Sequence, residues 1–175
     1  VNQTMFSLNE IKKRFVKNNL KKVWVDIWFN SILKEGFSYS LSGNFINFKK
    51  VGINELKKIF LQNNRSIKRD VLVEIIEGLK YLEVHPDILK TLNLLKNQNL
   101  KVITLTNGSA SNTRTLLKKN KLEGLIDCCL SIEDFKVWKP HKNVYLKACK
   151  FMRTNPKNSL MIAAHGWDIN CLLYT

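Results

Sequence analysis

The sequence predicts an α/β fold in which a parallel sheet is joined to a mainly helical segment. Three observations carry this. From His85 onward, short β-branched apolar runs alternate with amphipathic helical patterns across short connections, the grammar of a parallel sheet with right-handed crossovers. Residues 10 to 83 instead show helical periodicity with no convincing strand. And the run Lys101-Val102-Ile103-Thr104-Leu105 stops abruptly at Thr106-Asn107-Gly108-Ser109, after which Ala110 to Lys119 reads as a helix. Strand, tight turn and helix N-terminus thus fall in one window.

In chain order, Asn9 to Lys17 reads as a helix. Val23 to Glu35 follows, with Val23, Trp24, Ile27, Trp28, Ile32 and Leu33 on one amphipathic face. Gly36 to Phe48 is rich in Ser, Gly and Asn, with aromatics at Phe37, Tyr39, Phe45 and Phe48. Ile53 to Asn63 and Asp70 to Tyr81 are two further helical patterns. His85-Pro86-Asp87 opens a helix through Lys96, with proline where its missing N–H is harmless. Next come a strand over Lys101–Leu105, a helix over Ala110–Asn120 and a short strand around Ile126–Ser131. Pro140 opens a helix over Lys142–Met152, and Leu160–Ala164 reads as another strand.

At 175 residues and 45% hydrophobic, the chain suits one core with a small insertion, and no apolar run approaches the length of a membrane span. No secretory signal stands at Val1. The four cysteines, Cys128, Cys129, Cys149 and Cys171, lack paired ligand spacing. They read as buried thiols of a reducing, cytoplasmic compartment, with neither a disulfide framework nor a zinc site. A net charge of +15 invites a nucleic-acid reading. Yet lysine is spread along the whole chain, asparagine is abundant and arginine scarce, a compositional bias more than a phosphate footprint. Neither nucleic acid nor a membrane is an expected partner, although a basic surface would concentrate small carboxylates.

Ligands of open parallel sheets bind outside the carboxyl ends of strands, and three such ends stand out. Thr106 and Asn107 lie at the first, where the Gly108 and Ser109 amides would face an anion; equally, Asn107 or Ser109 simply caps the helix. The second end leads from Leu130-Ser131 to Val137-Trp138-Lys139-Pro140, with Tyr145 in the next helix. Lys139 is either aimed into the crevice, where it would steady negative charge, or exposed like most lysines. Tyr145 is either ligand or core. The third is Leu160-Met161-Ile162-Ala163-Ala164-His165-Gly166-Trp167-Asp168. Asp168 would orient a water, pair with Lys139, or cap a helix; His165 would act in the same cleft or make a structural hydrogen bond.

These blocks, Leu105-Thr106-Asn107-Gly108-Ser109, Val137-Trp138-Lys139-Pro140 with Tyr145, and Ala163-Ala164-His165-Gly166-Trp167-Asp168, resemble those of type II haloacid dehalogenases of the haloacid dehalogenase superfamily. Trp28 and Gly43-Asn44-Phe45-Ile46-Asn47-Phe48 resemble that family's helical cap. The resemblance implies a Rossmann-like parallel-sheet core with an inserted helical cap: residues 1–9 would begin the core, 10–83 form the cap and 84–175 continue the core. Members often open their first strand with Asp-Val-Asn-Glu-Thr-Leu, whose aspartate is the nucleophile. Val1-Asn2-Gln3-Thr4-Met5 is similar without that aspartate, so the resemblance places the nucleophile one residue upstream of Val1. It reads the chain as a fragment lacking its first strand and ending before the last strands of the core. Asp26, after Val23-Trp24-Val25, is a poor substitute because no Gly-Thr turn follows it.

By that resemblance the aspartate displaces halide from a short 2-haloacid, and water hydrolyses the resulting ester to a 2-hydroxy acid. Thr4 would support the nucleophile, and Thr106 would hydrogen-bond the substrate or nucleophile carboxylate. Asn107 would cradle halide, and Lys139 would hold the nucleophile ionised. Asp168 would position water, Tyr145 support the pocket, and His165 and Trp167 complete its wall. Neither metal nor cofactor is implied, and the family's frequent homodimerisation accompanies the resemblance as an expectation. Two positions depart from the pattern: Phe29 replaces a halide-clamping arginine, and His165 stands where some members carry asparagine. The rival readings are a phosphatase of the same superfamily and an inactive fragment or pseudoenzyme binding small carboxylates. Asn2 in place of a second acid, and Asp168 without an acidic neighbour, argue against Mg²⁺-dependent phosphoryl transfer.

Overall fold

The computed structural model describes residues 1–170, so Cys171 lies outside the described residues. The chain opens with four helices: α1 (Asn9–Lys17), α2 (Trp24–Leu41), α3 (Phe48–Gln62) and α4 (Arg69–Glu77). A 3₁₀ turn, Gly78–Lys80, leads to α5 (Ile88–Asn97). Strand β1 (Ile103–Thr106), helix α6 (Ala110–Lys119) and strand β2 (Cys128–Ser131) then form a β-α-β unit. Short α7 (Ile132–Phe135), α8 (Lys142–Phe151) and short α9 (Gly166–Asn170) complete the described chain.

The sheet is parallel, as expected, and among the described residues has two strands, in register from Ile103 opposite Cys128 to Thr106 opposite Ser131. The strand expected over Leu160–Ala164 does not form. This stretch is irregular, with Leu160 86% and Ile162 59% exposed, because among the described residues no neighbouring backbone takes up its amides and carbonyls as a ladder. Its one anchor in register with the site is the Ala164 N–H, which donates to Thr4 Oγ1 at 3.2 Å. The N-terminal turn is fastened to the segment before α5: Ser7 N–H donates to the Glu83 carbonyl and His85 N–H to that of Met5.

Two helix boundaries differ from the periodicity for identifiable reasons. Helix α2 runs on to Leu41 through Gly36, Ser38 and Ser40. Gly36 is a packing residue there: a Cβ at that position would fall inside the Trp138 ring. Helix α3 begins at Phe48, five residues before the expected Ile53, because the Asn47 side chain accepts the Lys50 N–H and caps it. Pro140 lies outside α8, whose N-cap is His141.

One apolar core runs from Phe6 through α1–α4 to Trp138 and Val144, joining the helices to the β-α-β unit. Trp28 is fully buried in it, with its indole N–H donated to the Gly52 carbonyl at 2.9 Å. Trp138 is its bridge: the indole N–H reaches the Ile46 carbonyl, the ring stacks on Phe48 at 5.9 Å, and the backbone N–H reaches Ser40 Oγ. Trp138 therefore ties α2 and α3 to the segment that carries Lys139. Asp26 lies on helical α2, half-exposed and 3.8 Å from Lys12, and has no place in the site described below. Cys128, Cys129 and Cys149 are reduced and half-buried, less enclosed than expected; for Cys128 and Cys129 this follows from β2 having, among the described residues, a neighbouring strand on one side only. Among the described residues no helix is long and apolar enough to cross a membrane.

Candidate active site

The three blocks converge on a narrow cleft of about 30 Å³. Thr4, Thr106, Asn107, Lys139, His165, Trp167 and Asp168 line it, with Val1, Asn2, Gly108, Phe29, Leu33 and Phe48. Tyr145 stands behind, bonded to Asp168. The β-α-β topology accounts for this gathering. Parallel β1 and β2 end side by side, and Ser131 Oγ at the end of β2 donates to the Gly108 carbonyl at 2.6 Å.

At the first strand end both earlier alternatives resolve locally. Ser109 caps α6 by accepting the Asn112 N–H, and the Gly108 N–H is taken by Thr106 Oγ1 at 3.0 Å, so Gly108 does not face an anion. Asn107, 7% exposed, accepts the Lys139 N–H through Oδ1 at 3.0 Å. Its amide therefore holds the Lys139 backbone beside β1.

Lys139 is neither a surface lysine nor unpaired. It is 3% exposed, and its Nζ donates to Asp168 Oδ2 at 2.5 Å. The other oxygen, Oδ1, accepts from the Tyr145 hydroxyl at 2.5 Å. Burial pushes the Lys139 pKa down, and the neighbouring Asp168 charge opposes that shift. Asp168, 4% exposed, thus forms the centre of a Lys–Asp–Tyr network rather than a simple helix cap. The Val1 nitrogen is buried beside this network. As a free amine it is lowered to about 5, mainly by burial and then by Lys139, with Asp168 acting in the opposite sense.

On the far side, His165 Nε2 donates to Gln3 Oε1 at 2.6 Å, and its ring stacks between Trp167 (5.3 Å) and Phe29 (6.5 Å). Burial lowers its pKa below 6.5, outweighing the opposite pull of Asp168. The imidazole is then neutral near pH 7. A depressed folded-state pKa means that, on acidification, the unfolded chain takes up this proton first. Stability is therefore lost as pH falls from 6.5 towards the folded value. Urea unfolding at about pH 7.5 and about pH 5.5 should give the lower midpoint at the acidic pH. His165→Gln should narrow the gap.

The donor set does not suit a divalent cation. Among the described residues no three His, Cys, Asp or Glu side chains converge, and both oxygens of Asp168 are engaged by Lys139 and Tyr145. Gln3 and Leu33 were not among the expected site residues. Leu33 carried a readable signal, lying four residues after Phe29 on one face of α2. Gln3 carried none, since its contact with His165 spans 162 residues.

Known proteins resemble this chain in sequence and in fold. The family model described as haloacid dehalogenase-like hydrolase matches residues 11–171. The chain is 30% identical over 114 residues to (S)-2-haloacid dehalogenase 4A of Burkholderia cepacia, covering 65% of this chain and 48% of that protein. It is 24% identical over 143 residues to (S)-2-haloacid dehalogenase 1 of Pseudomonas sp. (strain CBS-3), covering 82% and 63%. It thus spans about half to two thirds of those relatives. The L-2-haloacid dehalogenase from Xanthobacter autotrophicus, solved with chloropropionic acid covalently bound, superposes with a TM-score of 0.89 at 19% identity, over 98% of this chain and 70% of that one. The match over residues 11–171 establishes that the chain belongs to the haloacid dehalogenase-like hydrolase family.

Proposed function

We propose that this protein serves the hydrolytic dehalogenation of short 2-haloalkanoic acids to 2-hydroxy acids. The carrying observation is the buried Lys139–Asp168–Tyr145 network set against the Val1 nitrogen at the carboxyl end of β1. The attacking group in this reading is a carboxylate on the residue preceding Val1, whose backbone would enter the cleft beside Lys139. One carboxylate oxygen bonds to C2 of the substrate as the carbon–halogen bond breaks, and the bonding pair leaves with the halide. Water then adds to the carbonyl of the resulting ester. Its collapse returns the carboxylate and releases the 2-hydroxy acid, with the water's remaining proton passing to solvent.

Each residue has a part in this reading. Lys139 keeps the nucleophile ionised, and Asp168, fixed by Tyr145, maintains the lysine as an ammonium and orients the hydrolytic water. Asn107 fixes the Lys139 backbone and turns its amide towards the leaving halide. Thr106 holds a carboxylate, and Thr4 steadies the turn carrying the nucleophile. His165 and Trp167 form the wall, and helices α1–α4 act as the cap over the cleft. Relatives named as (S)-2-haloacid dehalogenases support this choice. The engagement of both Asp168 oxygens weighs against the phosphatase alternative.

The test is halide release from 2-chloropropionate, in EDTA, by a chain extended upstream of Val1, with the 175-residue chain as control. Release by the extended chain alone is expected. A folded extended chain that releases no halide, but frees phosphate from a phosphoester once metal is added, would refute the proposal.

A further inference from the structure

The lining of the cleft divides into two unlike halves. The floor is polar: Asn2, Thr4, Thr106, Asn107, Lys139 and Asp168. The roof is largely apolar and aromatic, with Phe29 and Leu33 from α2, Phe48 from α3, and Trp167, and His165 is its polar member, stacked between Phe29 and Trp167. Among the described lining residues, the formally charged side chains are Lys139 and Asp168, and they neutralise each other. A carboxylate and a departing anion are therefore served chiefly from the floor, and the face made by Phe29, Leu33 and Phe48 suits the apolar part of a ligand.

The roof is also closed and braced. Phe29 is 4%, Leu33 5% and Phe48 4% exposed. The Phe29 ring is held on one side by Phe48 at 6.0 Å and on the other by His165 at 6.5 Å. Phe48 is backed by Trp138, and His165 is tied to Gln3. Phe29 cannot swing aside without displacing one of these braced neighbours, so the ceiling over the floor is fixed rather than adaptable.

We infer that Phe29 is a specificity-determining residue that restricts the cleft to 2-haloacids with the shortest alkyl tails, orienting the tail to α2 and the charges to Lys139. This rests on the dehalogenase reading of the site and adds to it the size and placement of the substrate's apolar end. Each further methylene must either push Phe29 from its stack or leave the cleft, and mismatches of this kind are worth about 10-fold or more in discrimination.

The experiment measures binding of chloroacetate, 2-chloropropionate and 2-chlorohexanoate to the 175-residue chain by titration calorimetry. It is repeated on Phe29→Ala and, because a buried phenylalanine also supports the core, on the milder Phe29→Leu. Wild type should bind the two shorter acids at least about 10-fold more tightly than 2-chlorohexanoate. Both variants should narrow that ratio, alanine more than leucine. Equal binding of all three acids by wild type, no binding of any, or an unchanged ratio in a folded variant overturns the inference. Binding does not require the nucleophile, so the two readings separate. The expected length preference, with no halide released by the extended chain, upholds the size restriction and defeats the dehalogenase assignment.

Discussion

Lys139→Met is expected to destabilise the fold by about 3–5 kcal/mol, the usual result of removing one partner from a buried ion pair. The variant leaves Asp168 4% exposed, with the Tyr145 hydroxyl still bonded and its ion-pair partner gone. Removing both charges, as in Lys139→Met with Asp168→Leu, should recover most of the loss, because no unpaired charge remains. Urea unfolding of the two variants decides the matter. If the single variant is as stable as the double, the pair is not what organises this part of the cleft. In the extended chain, Lys139→Met should also lower halide release by about 10²–10³-fold, the scale on which loss of one preorganised electrostatic group is felt.

The second large effect lies outside the cleft lining. Gly36→Ala places a methyl group inside the Trp138 ring, and neither element has room to yield. Trp138 is fully buried, hydrogen-bonded to Ile46 and Ser40, and stacked on Phe48. Overpacking of this kind costs about 1–3 kcal/mol. The strain is relieved most directly by moving Trp138, and Lys139 is its chain neighbour. Gly36→Ala should therefore lower the melting temperature, shift tryptophan emission to longer wavelength, and weaken 2-chloropropionate binding. Gly124→Ala is the control, since a Cβ there meets no atom within 4 Å. A Gly36→Ala protein as stable as this control would show that the contact between α2 and Trp138 is slack.

The same glycine shows where sequence reading stops. As a residue type it signals a break, and the Ser- and Asn-rich stretch after it reinforces that signal. Helix α2 nevertheless continues to Leu41, because the missing side chain admits a tryptophan about a hundred positions away. Helix α1, whose boundaries follow from local periodicity alone, lies where the pattern puts it, over Asn9–Lys17. The strand expected at Leu160–Ala164 fails for the opposite reason: an apolar run marks what can pair, but pairing needs an adjacent backbone. In the cleft, the residue types of the three blocks were legible because strand ends collect polar side chains. Which atom serves which partner was not. That the Gly108 amide goes to Thr106, that the Asn107 oxygen goes to the Lys139 backbone, and that His165 meets Gln3 are facts of tertiary register.

The two bonds that join the ends of the described chain also set a timetable. Gln3 meets His165 across 162 positions and Thr4 meets Ala164 across 160, whereas α1–α4 find most of their partners within the first eighty residues. Closing so long a loop brings little reward until its ends are already near each other. A chain leaving the ribosome can therefore bury Phe15 and Trp28 long before a cleft exists, and the cleft closes only after Asp168 has emerged. Weakening the Gln3–His165 tie should accordingly leave the folding rate almost unchanged and quicken unfolding, as expected for contacts made after the folding barrier is crossed.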